Sequence, residues 1–226
     1  MAVIECGVSG ALAGVGAESM SPMHTLRAPI PVGSGGAYRA GLTSGTMAAS
    51  LAANAEIFQF RYVTAASRLG LVYKVSISAA ANVAATAAAL LSFKMAAARG
   101  WTGAGSAGTR VTFTGNNNKL RTSLATSEVN DVGISTTTGL GAGTKTIDAQ
   151  DLGGVGFAVS TAAITTQVDL NLVPKTALLD ADGEGQYPLV CANQEGFIIR
   201  NGANAWPAGM TWHFSVEVLW LEVPAF

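Results

Sequence analysis

Reactive side chains are scarce here: two histidines, His24 and His213, two cysteines, Cys6 and Cys191, and fourteen acids among 226 residues. The most suggestive spacing is DADGEG, Asp180 to Gly185. It puts oxygen ligands at its first, third and fifth positions and a glycine at its sixth, as the start of a calcium loop does. Such a loop closes on a bidentate glutamate at position twelve, but Cys191 stands there and Pro188 occupies position nine. A weak cation site built from Asp180, Asp182 and Glu184 with backbone carbonyls is one reading. A solvated Asp/Gly turn between strands is the preferred one, because turns use these residues routinely.

The other motifs fail on context. Gly103, Gly105 and Gly108 in GAGSAG match G-x-G-x-x-G, but the dinucleotide fingerprint needs a strand before it and a helix after it. Here a strand-like segment, TRVTFT, follows. GLGAGTKT is not a P-loop, since Thr144 separates Gly143 from Lys145. A Ser-His-Asp arrangement must use His24, in a proline-rich stretch, or His213, on a strand face beside Glu217. No G-x-S-x-G occurs, and two histidines with two distant cysteines make no zinc set. Cys191 lies in the apolar run YPLVCA, where a buried free thiol is expected. The expectation is a protein that is not an enzyme and carries no cofactor.

The elements that must position these residues are strands. In Thr211–Val223, Trp212, Phe214, Val216, Val218 and Trp220 alternate with Thr211, His213, Ser215, Glu217 and Leu219. That period of two is a β-strand with one buried face. Glu56–Thr64 sets Phe58, Phe60 and Tyr62 against Gln59 and Arg61. Leu69–Ser78 sets Leu71, Tyr73, Val75 and Ile77 against Val72, Lys74, Ser76 and Ser78. Leu91, Phe93 and Met95 alternate with Ser92 and Lys94, and Thr109–Thr114 alternates about Val111 and Phe113. Further strands are expected at Ile134–Thr138, Thr144–Ala149, Val155–Ser160, Gln167–Val173, Tyr187–Ala192 and Gly196–Arg200. Turn clusters, among them GWTGAGSAG, GNNN, TGLGAG, DLGG and NGANAWPAG, separate them.

This spacing predicts an all-β fold, an antiparallel β-sandwich of jelly-roll type, over residues 37–226. Ala79–Ala89 reads as an alanine-rich connection between strands or as one short helix. The nineteen uncharged residues between Lys74 and Lys94 have membrane-span length. Ser76, Ser78, Asn82 and Thr86 break their apolarity, so no membrane segment is expected. Residues 1–36 read as an extended N-terminal arm, because Pro22, Pro29 and Pro31 with Gly33, Gly35 and Gly36 resist regular structure. Leu26, Ile30 and Val32 are too apolar for a tail in water. The arm lies along a neighbouring subunit or folds back over its own domain. The N-terminus lacks a basic region and has Glu5 early, a poor signal peptide.

Charged residues are only 12% of the chain, with a net charge of −1 and no basic block. Nucleic acid is therefore not an expected partner. So sparse a charge coat suits a surface covered by copies of itself or by other proteins. Trp101 and Trp206, both in expected loops, are candidate interface anchors or sugar-stacking platforms; a tryptophan folded over the end of the core is the simplest reading of Trp206.

The stretches GTRVTFTGNNNKLRTSLATSEVNDVGISTT and EGFIIRNGANAWPAGMTWHFSVEVLWLEV resemble the jelly-roll proteins that decorate or cement the heads of tailed bacteriophages. That resemblance implies a homotrimer seated on capsid shell subunits, located in the virion and made in the host cytoplasm, with residues 1–36 as a neighbour contact. It carries over no catalytic residue. Two other roles compatible with the sequence are a carbohydrate-binding head or tail-fibre module, motivated by Trp101, Trp206 and Asn116–Asn118, and the major shell subunit itself. A β-sandwich hydrolase using His213 is the weakest reading.

Overall fold

The structure is a computed structural model and describes residues 3–6, 11–14, 36–63, 68–161, 171–181 and 187–224. The chain divides into two units, Met1–Val32 and Gly33–Phe226. In the first, β1 (Val3–Cys6) pairs antiparallel with β2 (Ala11–Gly14). The expected extended arm is thus partly a hairpin; Val3 and Ile4 are good strand formers, and the first proline comes only at Pro22. Leu26, Ile30 and Val32 lie outside the described residues.

The second unit contains β3 (Gly36–Thr43), β4 (Glu56–Tyr62), β5 (Arg68–Val83), β6 (Ala89–Gly103), β7 (Thr109–Val111) and β8 (Val129–Ile134). It continues with β9 (Thr144–Val159), β10 (Asn171–Asp180), β11 (Leu189–Cys191), β12 (Glu195–Asn201) and β13 (Thr211–Pro224). One sheet runs β10-β5-β13-β3, with β11 also on β5; the other runs β7-β8-β4-β12-β6-β9. Every pairing is antiparallel. The later strands pair back on the earlier ones in reverse order: β9 on β6, β10 on β5, β12 on β4 and β13 on β3. A long hairpin is in effect rolled up so that its successive segments alternate between two sheets, which is jelly-roll connectivity. The fold is an all-β antiparallel sandwich.

The alternation read from sequence places the core. Trp212, Phe214, Val216, Val218 and Trp220 of β13 all point inward and are at most 1% exposed. They meet Phe58, Phe60 and Tyr62 of β4, Phe93 of β6 and Phe197 of β12 in one cluster. The aromatic rings interlock: Phe60 stacks on Phe197 at 5.0 Å and meets Trp220 edge-on at 5.2 Å. Burying each large apolar side chain contributes about 1.5–3 kcal/mol, so this cluster supplies the main drive to fold.

Two β-bulges explain where alternation misled. In β5 the register against β13 shifts between Lys74 and Val72, so Tyr73 is an extra residue that reverses the faces. Val72 therefore points inward with Val75 and Ile77, while Leu71 and Tyr73 do not. In β9 the register shifts between Gly153 and Asp151; DLGG is a bulge inside one sixteen-residue strand, not a turn between two. A side chain at Gly153 would overlap the Leu178 carbonyl of β10, so only glycine fits where the sheets approach. Ala79–Ala89 is not helical: β5 runs on to Val83 and β6 starts at Ala89. No helix of the described residues is long and apolar enough to cross a membrane.

Candidate functional site

The residues singled out by sequence are mostly not free to bind anything. Trp101 is on β6 rather than in a loop, and it is fully buried. Its indole Nε1–H donates to the Gly103 carbonyl at 3.0 Å. It packs with Ala96, Ala98, Ile198 and Ile147 in a small second cluster. Trp206 is 2% exposed and belongs to the main core. Burial on β6 corrects the reading of Trp101 as an interface anchor or sugar platform, whereas Trp206 takes its simplest reading, a tryptophan folded over the core.

Asp180 ends β10 opposite Lys74 and accepts from its Nζ at 2.8 Å; Asp182 and Glu184 lie outside the described residues. Among the described residues no cluster of three His, Cys, Asp or Glu side chains is placed to hold a metal. His213 Nδ1 sits 3.0 Å from Asn82 Oδ1, with neither a nucleophile nor a carboxylate against it in that contact. Burial, and secondarily the nearby Glu195 charge, pushes the Cys191 thiol up to about 12, so it is a buried, protonated core residue.

What the sheet presents outward is a ladder of cross-strand rows. Residues paired across an antiparallel sheet share a face, so the register gives the rows directly. Ala37, Leu221, Leu71 and Val190 form an apolar row across β3, β13, β5 and β11. Next to it run Arg39, Leu219, Lys74 and Asp180. Gly41, Glu217 and Ser76 follow, then Thr43, Ser215 and Ser78. Leu120, 57% exposed, lies beside Arg39, Lys74, Glu217 and Leu219 around a shallow recess. Glu217 is held between Lys175 and Arg39. The hydrogen bond from Lys175 outweighs partial burial and keeps its carboxyl below the usual range. Thr43 and Ser215 bond hydroxyl to hydroxyl at 2.9 Å. The face is thus apolar at one end, hydroxyl-bearing at the other, and crossed between them by the Lys74–Asp180 pair and by Glu217 with its two cations, Lys175 and Arg39.

The opposite, outer side of the second sheet holds a buried polar cluster that the sequence reading did not foresee. Two glycine-rich segments close over it. A side chain at Gly105 would overlap the Gln59 carboxamide and the Gly141 carbonyl, and one at Gly141 would overlap Ser106. Of the G-x-G-x-x-G glycines, Gly105 serves this close packing, while Gly103 abuts Thr144 and Gly108 abuts Ile134 and Leu140. Beneath it, Lys145 Nζ donates to Glu56 Oε2 at 2.8 Å and lies 4.5 Å from the Trp101 ring centre. Gln59 Nε2 donates to the same oxygen at 2.6 Å and to the Gly141 carbonyl at 2.8 Å. Arg110 donates to Gln59 Oε1 at 3.0 Å and to Asp131 Oδ1 at 3.1 Å. Arg61 Nε donates to the Trp101 carbonyl at 2.9 Å. The Lys145 side chain is 1% exposed and Gln59 is fully buried. Desolvation pulls the Lys145 amine below its ordinary value, against the stabilising pull of Glu56. The readable signal was Gln59 and Arg61 on the outward face of β4; the distant partners, Lys145 above all, carried none.

Comparison with family models, curated proteins and solved structures finds no match to this chain.

Proposed function

We propose that this chain is a structural protein of a bacteriophage virion, decorating or cementing the capsid through subunit contacts and catalysing no reaction on another molecule. The observation that supports attachment is the outer face of the β10-β5-β13-β3 sheet, where Ala37, Leu221, Leu71 and Val190 form an apolar row across four strands. Sheet faces turned to water alternate toward polar side chains; this one keeps leucine and valine, with Val190 44% exposed. An apolar core edged by Arg39, Lys74, Lys175 and Glu217 is the composition of a protein-protein contact. Repetition by particle symmetry turns modest contacts of this kind into firm attachment. The phage setting rests on the resemblance of the GTRVTFTGNNNK and EGFIIRNGANAWP stretches to head-decoration proteins. The sugar-binding reading keeps only the Asn116–Asn118 loop, because both of its tryptophan platforms are buried.

Native mass spectrometry and cosedimentation with phage heads test this. The intact chain is expected to form a homo-oligomer, a trimer by the resemblance, and to bind capsids. Replacing Leu71 and Leu221 together by glutamate is expected to weaken attachment at least tenfold while leaving the melting transition cooperative. A strictly monomeric chain that leaves capsids bare overturns the proposal.

A further inference from the structure

The buried cluster on the second sheet has the parts needed to make a covalent bond within the chain. A primary amine, Lys145, and a carboxamide, Gln59, are both hydrogen-bonded to one carboxylate oxygen of Glu56, at 2.8 and 2.6 Å. Arg110 holds the carboxamide oxygen at 3.0 Å. The geometry points to a self-formed isopeptide bond between Lys145 Nζ and Gln59 Cδ, with Glu56 as the proton carrier.

The chemistry closes without a co-reactant. Lys145 passes a proton to Glu56, which frees the Nζ lone pair. That pair attacks Gln59 Cδ, and the electrons of the C=O bond move to Oε1, where the Arg110 guanidinium faces the developing negative charge as an oxyanion donor does. Glu56 delivers its proton to Nε2, then takes the surplus proton from Nζ. The Cδ–Nε2 bond breaks as the carbonyl re-forms, and ammonia leaves, taking up that last proton as ammonium. One amide replaces another, nothing is oxidised, and the chain loses one NH3.

The surroundings favour amine over water as nucleophile. Gln59 is fully buried, Glu56 is 7% exposed, and the Trp101 ring and the Gly105 and Gly141 backbones pack about them. Holding amine and carboxamide on a common oxygen makes the encounter intramolecular, where effective concentrations are very large. Burial also favours the neutral amine that attack requires. The product would tie the start of β9 to β4 across the two intervening strands of the sheet, β12 and β6.

The test is the intact mass of the purified, folded full chain, followed by peptide mapping. The wild type is expected to be about 17 Da lighter than its sequence mass, one ammonia by the substitution written above, with a branched peptide joining the segments that hold Gln59 and Lys145. Lys145→Arg and Glu56→Gln are expected to show the full mass. A wild-type chain of full mass after days at 37 °C, with near-ultraviolet circular dichroism showing native packing, overturns the proposal whatever the variants do. A loss of the same size that maps to a succinimide, as at Asn201–Gly202, overturns it equally.

Discussion

Trp206 lies flat on Trp212, with ring centroids 3.7 Å apart and planes 5° from parallel. The loop tryptophan is the lid of the core: its backbone N–H donates to the Leu51 carbonyl at 2.9 Å, and Phe93 and Phe157 flank its ring. Trp206→Ala removes a stacked, fully packed side chain and is expected to cost about 3–5 kcal/mol. Trp206→Phe keeps much of the stack and also removes an indole N–H that has no partner, so it should cost less than half as much. Urea unfolding midpoints distinguish the two.

Asp151 accepts from Lys94 at 2.9 Å and from Arg200 at 3.0 Å. Burial opposes its ionisation, but the two cations together outweigh it and hold the carboxyl below the usual range. A depressed folded value means the contribution is complete above the ordinary carboxylate range and disappears as pH falls through the depressed value. Asp151→Asn is expected to lower stability by about 1 kcal/mol at pH 7, a figure reduced for the partial solvent exposure of all three groups. The acid side of the stability–pH curve should flatten in the variant.

Glu222 has the opposite sign. It is fully buried, and burial raises its carboxyl against the hydrogen bonds of Ser127 at 2.6 Å, the Glu128 N–H at 2.9 Å and Trp220 Nε1 at 3.3 Å. Its contribution is complete below the ordinary carboxyl range and is lost as pH rises through the raised value. Glu222→Gln, which cannot ionise, should therefore improve relative to wild type as pH climbs from 4 to 8. Paired thermal melts across that range check it, and a variant whose disadvantage grew with pH would contradict the assignment.

Two glycines make a matched pair. At Gly105 a Cβ would meet Gln59 and the Gly141 carbonyl; at Gly41 it would meet nothing within 4 Å. Gly105→Ala is expected to destabilise by about 1–3 kcal/mol through overpacking. Gly41→Ala should be neutral or stabilise by about 0.4–1 kcal/mol, since it restricts the unfolded chain without a clash. Differential scanning calorimetry of both variants against wild type reads the contrast.

Much of this fold was legible because β13 and β4 alternate without interruption: Trp212 through Trp220, and Phe58, Phe60 and Tyr62, point where the period of two puts them. Alternation fails where one extra residue enters a strand. Tyr73 shifts β5 and Leu152 shifts β9, and no residue type announces a bulge in advance. Trp101 was misplaced for a related reason. The glycines around it suggest a loop, yet Trp101 sits within β6 and one of them, Gly105, lets two backbones approach over Gln59. The buried cluster was illegible because its members come from β4, β7, β8 and β9, and sequence gives no distance between them. Asp180 could be named but not paired; only the register of β10 with β5 sets it against Lys74.

The rolled-hairpin pairing also dictates when the molecule can come together during synthesis. β13 sits between β3 and β5 in its sheet, and the bonded residues Thr43 and Ser215 are 172 positions apart. A ribosome needs roughly 10–35 s to cover that distance. Throughout, a nascent chain has an open seam where its central strand belongs, and Tyr38 and Phe60 lack the ring of Trp220 that covers them in the finished protein. Closure of the domain therefore waits on the synthesis of β13 and is governed by distant contacts, which places it among slow folders.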